Sequence, residues 1–214
     1  MWMRLLAGAT AHEINNLAHG LAYLFARLRQ PEVTADELIR LASRGDQQLR
    51  ALEARARELR ALAGASAARS APAQRLELVF ADAVVETEAG EDRSVVVNQT
   101  PPEVLAAGSA DALRVAVSAL LRYALAVTPS GGEVRLGATL EPGFAIATVD
   151  APSAAAPPTA EVMPLEAAPS VLEEHGTFDV VLAGAIAAEL GGELRVGPAA
   201  SGGLHFALAL PRVG

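Results

Sequence analysis

The chain has 214 residues, which is enough for one medium-sized domain or two small ones. Hydrophobic residues make up 51% of it and aromatic residues only 4%, so we expect a core built mainly from Leu, Val and Ala. The formal charge of −8 argues against nucleic acid as a main partner. Without cysteine, disulfides, thiolate nucleophiles and cysteine-ligated metals are excluded, and because all 17 basic residues are Arg, lysine-based covalent chemistry is excluded as well.

The N-terminal segment "MWMRLLAGATAHE" contains too short an apolar run for a signal peptide. No apolar stretch in the sequence reaches the ~20 residues that a helix needs to cross a bilayer. We therefore expect a soluble cytoplasmic protein that does not associate with membranes.

The first predicted element is a helix from about Leu5 to Arg29, which Pro31 ends. Its apolar residues are spaced alternately three and four positions apart, and they are Ile14, Leu17, Leu21, Leu24 and Leu28. This spacing is typical of a helix packed in a bundle.

A second helix is predicted to begin near Ala35, because Thr34 followed by Glu37 forms a capping box, and to run to about Ala63. Two helices with a short connection form an antiparallel hairpin. A hairpin alone exposes its apolar stripe, so we expect two chains to form a dimeric four-helix bundle. This assigns residues 1–64 to a helical unit and the small, polar residues 65–75 to a linker.

Residues 76–214 are predicted to form a unit of mixed strands and helices. The strand segments are "RLELVF", "RSVVVNQ", "GEVRLGATLE", "FAIATVD", "GELRVGP" and "GLHFALALP". The helices are "SADALRVAVSALLRYALAVTP", with Ser109 as its N-cap, and "FDVVLAGAIAAEL", which Gly191 and Gly192 terminate. The Ala- and Pro-rich segment "DAPSAAAPPTAEVMPLEAAPS" is predicted to be a loop. The fold class is therefore α+β, with a helical layer on one face of a sheet.

The polar side of the first helix carries His12, Glu13 and Asn16. If Ile14 and Leu17 face the bundle, His12 is at the outermost heptad position and is not needed for packing. Three interpretations remain open: a metal site, an incidental histidine on a solvated face, and a nucleophilic histidine. The zinc signature HExxH is only half present, since Asn16 replaces its second histidine. A nucleophilic imidazole could pass its Nδ1 proton to Glu13, while Asn16 orients a water or a phosphoryl oxygen.

At "AHEINNLAHGL" the chain resembles the H-box of bacterial sensor histidine kinases, with Leu17 in place of the usual proline. The resemblance implies that His12 is the phosphoacceptor and that Glu13 is its acid/base partner. It implies that Asn16 positions water for dephosphorylating a partner. It also implies that residues 1–64 are a dimerisation and histidine-phosphotransfer domain, and that 76–214 are an α/β sandwich of the histidine-kinase ATPase type.

The nucleotide motifs of that family are degraded in the second half. The places of the family's two asparagines, one of them a magnesium ligand, are held by Ala119 and Tyr123. Asp150 corresponds to the family's adenine contact and is kept as a vestigial cofactor-binding residue, but the glycines that follow it are lost in "DAPSA". Asp179 stands at a position of the phosphate-binding glycines, where its charge would repel a triphosphate.

The expected function is that of a histidine phosphotransferase in a two-component phosphorelay. His12 would carry a phosphoryl group between response-regulator receiver domains, and the kinase-like domain would not bind ATP. The receiver would supply Mg²⁺, so the chain needs no metal or cofactor of its own. The expected partners are a second copy of the chain, receiver domains and an upstream hybrid histidine kinase.

Two alternatives stay open. The first is an enzyme of another kind, either a divergent active histidine kinase or a phosphatase of phosphorylated receivers that uses Asn16. The second is a pseudokinase scaffold that binds receivers or kinases without phosphate passing through it.

Overall fold

The computed structural model describes residues 2–30, 32–87, 93–98, 101, 103–152, 161–167, 177–200 and 202–212. Contacts within the chain divide it into two compact units. The first runs from Met3 to Arg60, and the second runs from Ala61 onward and includes Trp2. Among the described residues, no helix combines the length and the apolar character that crossing a membrane requires.

The first unit is a pair of helices, α1 (Trp2–Leu28) and α2 (Ala35–Ala65), of which the last turn of α2 extends into the second unit. At the start of α2, the Thr34 hydroxyl accepts a hydrogen bond from the Glu37 backbone N–H at 3.3 Å, as the capping box predicts. The Glu37 carboxylate in turn binds Arg27 of α1 at 2.6 Å, next to the connection. These contacts fix the turn, so the two helices run antiparallel.

The hairpin buries only part of its apolar surface. Leu6 and Leu24 of α1 and Leu41 of α2 are buried. Ile14, the first residue of the predicted stripe, is 44% exposed. Other large apolar side chains of the hairpin are exposed as well, namely Met3, Tyr23, Phe25, Leu28, Leu38, Ile39, Leu49 and Leu52. A single hairpin therefore leaves a considerable apolar surface in contact with water, which is unusual for a helix pair that acts alone.

The second unit is built on a six-stranded sheet. In chain order its strands are β2 (Ser94–Val97), β4 (Glu133–Glu141), β5 (Phe144–Ala151), β6 (Met163–Pro164), β7 (Glu193–Pro198) and β8 (Leu204–Pro211). Their spatial order is β2-β4-β5-β8-β7-β6, and only the β2–β4 pair is parallel. Two very short strands, β1 (Gln74–Arg75) and β3 (Leu105–Ala106), form a separate antiparallel pair.

Two helices, α4 (Ala110–Val127) and α5 (Phe178–Glu189), pack on one face of this sheet, and a third, α3 (Leu76–Glu86), packs against α4. Helix α4 begins where predicted, because the Ser109 hydroxyl accepts a hydrogen bond from the Ala112 backbone N–H at 3.2 Å. The inward side chains of the four long strands are buried under the helices, and they include Val134, Leu136, Val149, Leu194, Val196, Phe206 and Leu208. The predicted α+β architecture, with helices on one face of a sheet, is confirmed for this unit.

The prediction of a strand at "RLELVF" is wrong, because this segment opens helix α3. Only Gln74 and Arg75 are extended. Within the helix the buried residues recur with a period of three to four, at Leu76, Val79, Phe80 and Ala83. The last of these lies beyond the six residues on which the prediction rested. A short apolar run without its continuation does not separate a buried strand from a buried helix.

The Ala- and Pro-rich segment between β5 and α5 is only partly described. The loop predicted there includes a short edge strand, β6, which pairs antiparallel with β7. A 3-10 turn, Leu165–Ala167, follows it, and the Leu165 side chain is fully buried. Residues 153–160 and 168–176 lie outside the described part of the chain.

Helix α5 ends at the glycine pair that the sequence predicts. Gly191 has a φ of +85°, a conformation that costs glycine little, and its N–H and that of Gly192 bond back to Ala188 and Ala187. Gly192 lies against β8, where an added Cβ would overlap the carbonyl oxygen of Ala209. The turn therefore needs glycine at both positions, for two different reasons.

We expect Gly192→Ala to destabilise the protein by roughly 2–4 kcal/mol, because the backbone of β7 or β8 must shift to admit the methyl group. The measurement is the free energy of unfolding in urea. The matched control is Gly64→Ala in α2, where an added Cβ meets no atom within 4 Å. That change should stabilise the helix by roughly 0.5–1 kcal/mol. Equal effects of the two substitutions would contradict the close approach at Gly192.

Candidate functional site

His12 lies on an exposed face of α1, away from the buried residues of the hairpin. Its Nε2 atom is 3.1 Å from Nδ2 of Asn16, one helical turn further on. With the amide oriented in this way its N–H donates to Nε2, which corresponds to the tautomer with the ring proton on Nδ1. The exposed imidazole thus has a carboxamide as its hydrogen-bonding neighbour at Nε2.

Glu13 does not bind the imidazole beside it. Its Oε1 atom accepts hydrogen bonds from Nη2 and Nε of Arg55 on α2, at 3.2 and 3.3 Å. The expectation that the carboxylate holds the Nδ1 proton of His12 is therefore not realised in this arrangement. The structure brings His12 and Asn16 together and directs Glu13 toward the neighbouring helix.

Arg55 is held from a second side as well. Its Nη1 atom donates to Oε2 of Glu58 at 2.9 Å, one turn further along α2. Of the three side chains, Glu58 is the most buried at 9% exposure, followed by Arg55 at 19% and Glu13 at 33%. A guanidinium between two partly buried carboxylates forms charge-assisted hydrogen bonds that are stronger than those of a fully exposed ion pair.

In the sequence, nothing distinguishes Arg55 from the other arginines of the second helix, which are Arg40, Arg44, Arg50, Arg57 and Arg60. Its spacing from Glu58 (three residues) is a local signal for an ion pair on a helix. Its contact with Glu13 spans 42 residues and depends on how the two helices are aligned. The contact between Arg55 and Glu13 could therefore be recognised only once the alignment of α1 with α2 was known.

The described part of the chain contains no group of three or more His, Asp or Glu side chains that is suited to hold a metal ion. At His12 the structure shows an exposed imidazole with a carboxamide neighbour. Such a group can act as a nucleophile toward phosphorus.

In the second unit, Asp150 lies on the outer face of the sheet. Side chains alternate along β5, and because Val149 is buried under the helices, Asp150 points to the opposite side. Its register partner on β8 is His205, whose Nδ1 atom is 2.5 Å from Oδ1 of Asp150. The carboxylate that corresponds to an adenine contact is thus bonded within the protein, on the face away from α4 and α5.

The positions that correspond to the family's two asparagines are part of the core. Ala119 is completely buried in α4. Tyr123 is 5% exposed and packs edge-to-face against Phe206 of β8, with the ring centroids 5.6 Å apart. Neither position offers an oxygen to a ligand in the way that an asparagine amide would.

Asp179, in the first turn of α5, forms an ion pair with Arg122 of α4 at 2.8 Å. This pair links the two helices at the end of α5 where a phosphate-binding loop would lie by resemblance. His175 and Gly176, which precede the helix, and Ala154, which follows the altered turn after Asp150, lie outside the described residues. The carboxylates of Asp179 and Asp150 are thus both bonded to side chains of the protein itself.

Neither the family models nor the curated proteins contain a match to this chain. Solved structures do match it. The ATP-binding domain of PrrB from Mycobacterium tuberculosis is 19% identical and has a TM-score of 0.53, covering 67% of this chain and 98% of that one. The Acinetobacter baumannii histidine kinase AdeS is 12% identical with a TM-score of 0.56, covering 94% and 96%.

The catalytic domain of the histidine kinase ThkA is 11% identical and has a TM-score of 0.50, covering 66% of this chain and 96% of that one. At these identities the likeness concerns the fold. It agrees with the resemblance of the sequence motifs to those of bacterial sensor histidine kinases. The chain has an N-terminal helical region followed by a sheet unit with the fold of histidine-kinase ATP-binding domains.

Proposed function

We propose that this protein is a histidine phosphotransferase that carries a phosphoryl group on His12 between response-regulator receiver domains. It acts as a homodimer through its helical hairpin, and its kinase-like unit does not use ATP. The observation that carries the proposal is the exposed imidazole of His12, whose Nε2 lone pair faces Asn16 on an uninterrupted helix. The "HEINN" motif and the fold of the second unit support it.

The transfer step follows from the chemistry of the imidazole. Nε2 of His12 attacks the phosphorus of an aspartyl phosphate on a receiver domain. The new N–P bond forms as the bond between phosphorus and the aspartate oxygen breaks, and the aspartate leaves as a carboxylate. As the N–P bond forms, the Nδ1 proton passes to a base, for which the neighbouring Glu13 carboxylate is the candidate. Since the receiver binds Mg²⁺ and supplies the activated phosphate, this chain contributes mainly the position of the nucleophile.

Asn16 has two uses in this reaction. In the resting protein its amide N–H occupies the lone pair of Nε2 at 3.1 Å. When a phosphoryl group arrives, the same N–H lies one helical turn away and can donate to a phosphoryl oxygen instead. The exchange replaces a neutral hydrogen bond by a charge-assisted one, which is stronger.

The side chains at the positions of the nucleotide motifs are already engaged in contacts within the protein. Asp150 binds His205 on the outer face of the sheet, and Asp179 binds Arg122. Tyr123 fills space in the core against Phe206. A nucleotide would have to break an ion pair, face a carboxylate with its phosphates and find a new magnesium ligand.

The exposed apolar surface of the hairpin supports a homodimer. An open groove of about 640 Å³ runs along α1 between Met3 and Ala18, and Leu59 of α2 also lines it. Its surface is almost entirely apolar. Exposed leucines continue along α2. Pairing of two hairpins would bury these side chains and give a four-helix bundle.

Phosphotransfer to His12 is the first prediction of this proposal. Receiver domains encoded in the same genome, each phosphorylated with a ³²P-labelled small phosphodonor, are mixed with the protein. We expect an acid-labile, alkali-stable label on the wild type and none on His12→Gln. His19→Gln is the matched control, because His19 is also exposed on α1, one heptad further on, and it should keep the wild-type label.

Other outcomes of this experiment would separate the alternatives. Release of inorganic phosphate that requires Asn16, without label on the protein, would identify a phosphatase. Stable binding of a receiver with no movement of phosphate would identify a scaffold. Label on the His12→Gln variant would refute the assignment of the phosphoacceptor.

The second prediction concerns nucleotide. Isothermal titration with Mg·ATP should give no binding up to millimolar concentration, and incubation with radiolabelled Mg·ATP should leave the protein unlabelled. Asp150→Asn should behave like the wild type, because the carboxylate serves only its contact with His205. Binding at millimolar concentration or tighter that is lost in Asp150→Asn would show that the nucleotide role is retained.

The third prediction concerns the oligomeric state. Light scattering should give a mass near twice the chain mass of 22.0 kDa for the wild type. The apolar stripe of α2 consists of Leu38, Leu41, Leu49, Leu52, Leu59 and Leu62. Leu49→Glu, at a 49% exposed position of this stripe, should raise the dimer dissociation constant at least about tenfold. Ile39→Glu introduces the same charge on the same helix, off the stripe at a 65% exposed position, and should leave the dimer intact. A monomeric wild type at tens of micromolar would contradict the bundle.

A further inference from the structure

Arg55 binds the carboxylate of Glu13, the residue next to His12. Two of its nitrogens, Nε and Nη2, lie 3.3 and 3.2 Å from the same oxygen of Glu13. Glu13 directly follows His12 in the chain. A guanidinium in this position competes with any other partner for the Glu13 carboxylate, including the Nδ1–H group of the imidazole.

Arg55 is itself anchored, so the competition is biased toward the ion pair. Its third described contact, Nη1 to Oε2 of Glu58 at 2.9 Å, comes from the same helix and from the most buried of the three side chains. Glu58 thereby fixes the direction in which the guanidinium points. Because the contact with Glu58 already restricts the rotamers of Arg55, the bond from α2 to Glu13 on α1 costs little additional side-chain entropy.

We propose that Arg55 is a positioning residue that holds Glu13 away from His12 in the resting protein, so that phosphotransfer requires the release of Glu13 from Arg55. The proposal rests on the function proposed above. Once released, the carboxylate can accept the Nδ1 proton of His12 as the N–P bond forms at Nε2. Glu13 then leaves the reaction protonated, and phosphohistidine remains neutral at Nδ1.

The resting arrangement accordingly engages both functional groups of the motif. Asn16 occupies the lone pair of Nε2, and Arg55 occupies the carboxylate of Glu13. A receiver that docks on this face of α1 brings a phosphoryl group, which attracts the Asn16 amide and the Arg55 guanidinium alike. Docking of the correct substrate would in this way release the base that the reaction uses.

The test is the initial rate of ³²P transfer from a phosphorylated receiver to the wild type and to Arg55→Gln. With Glu13 released, we expect the variant to react about fivefold faster, the factor that corresponds to one partly exposed ion pair. The increase should disappear in the Glu13→Gln background. Arg55→Lys, which keeps a cation near Glu13, should retain a rate close to that of the wild type. A residue that only braces the two helices would give neither the increase nor its dependence on Glu13.

Two further variants keep the test decisive. Because Arg55→Gln leaves Glu58 without this partner at a nearly buried position, Arg55→Gln/Glu58→Gln removes both charges and protects folding, and it should show the same increase. Arg57→Gln makes the same change of charge at an exposed position of α2 and should leave the rate unchanged. An equal increase in Arg57→Gln would assign the effect to net charge and overturn the proposal.

The remaining outcomes separate this proposal from the proposed function. The Arg55 variants could be folded, by circular dichroism, and label His12 no faster than the wild type does. In that case Arg55 does not restrain Glu13, and this proposal is wrong while the proposed function stands. If the wild type takes no label that depends on His12, the proposed function fails, and the role of Arg55 fails with it.

Discussion

The second unit depends on one constraint, which is the alternation of side chains along β5 and β8. Every inward position of these strands is apolar and buried beneath the helices, as Val149 and Phe206 illustrate. Alternation then sends Asp150 and His205 to the outer face, where their register makes them neighbours. A shift by one residue would bury a carboxylate and an imidazole in the core and expose the leucines and valines. The packing of the sheet therefore determines on which face Asp150 and His205 are available for contacts.

In the hairpin, the corresponding constraint is the register of two antiparallel helices. It aligns Glu13 of α1 with Arg55 of α2, and the helical spacing within α2 adds Glu58. The same register places His12 on the exposed side of α1. Backbone hydrogen bonds of the two helices thus set the distances in the candidate site. The side chains there are held by neighbours on regular elements rather than by a loop.

Local patterns predicted much of the fold. The capping box at Thr34, the N-cap at Ser109 and the glycines that end α5 act within a few residues, and each of them lies where the sequence predicts it. Helix α3 was missed because its period becomes visible only when Ala83 is included. The partners of Glu13 and Asp150 were also missed, since those contacts span 42 and 55 residues. Spacing in a sequence carries no information on pairs that tertiary packing creates.

Helix α1 has 27 residues, from Trp2 to Leu28, and Leu17 occupies the place of a proline in the related motif. A helix of this length measures about 40 Å. Without a proline it keeps a continuous ladder of backbone hydrogen bonds on both sides of His12. Such a rod is stiff in torsion as well as in bending. A twist applied at one end of α1 would therefore rotate His12 about the helix axis. The direction of its ring relative to α2 would change without a hinge within α1.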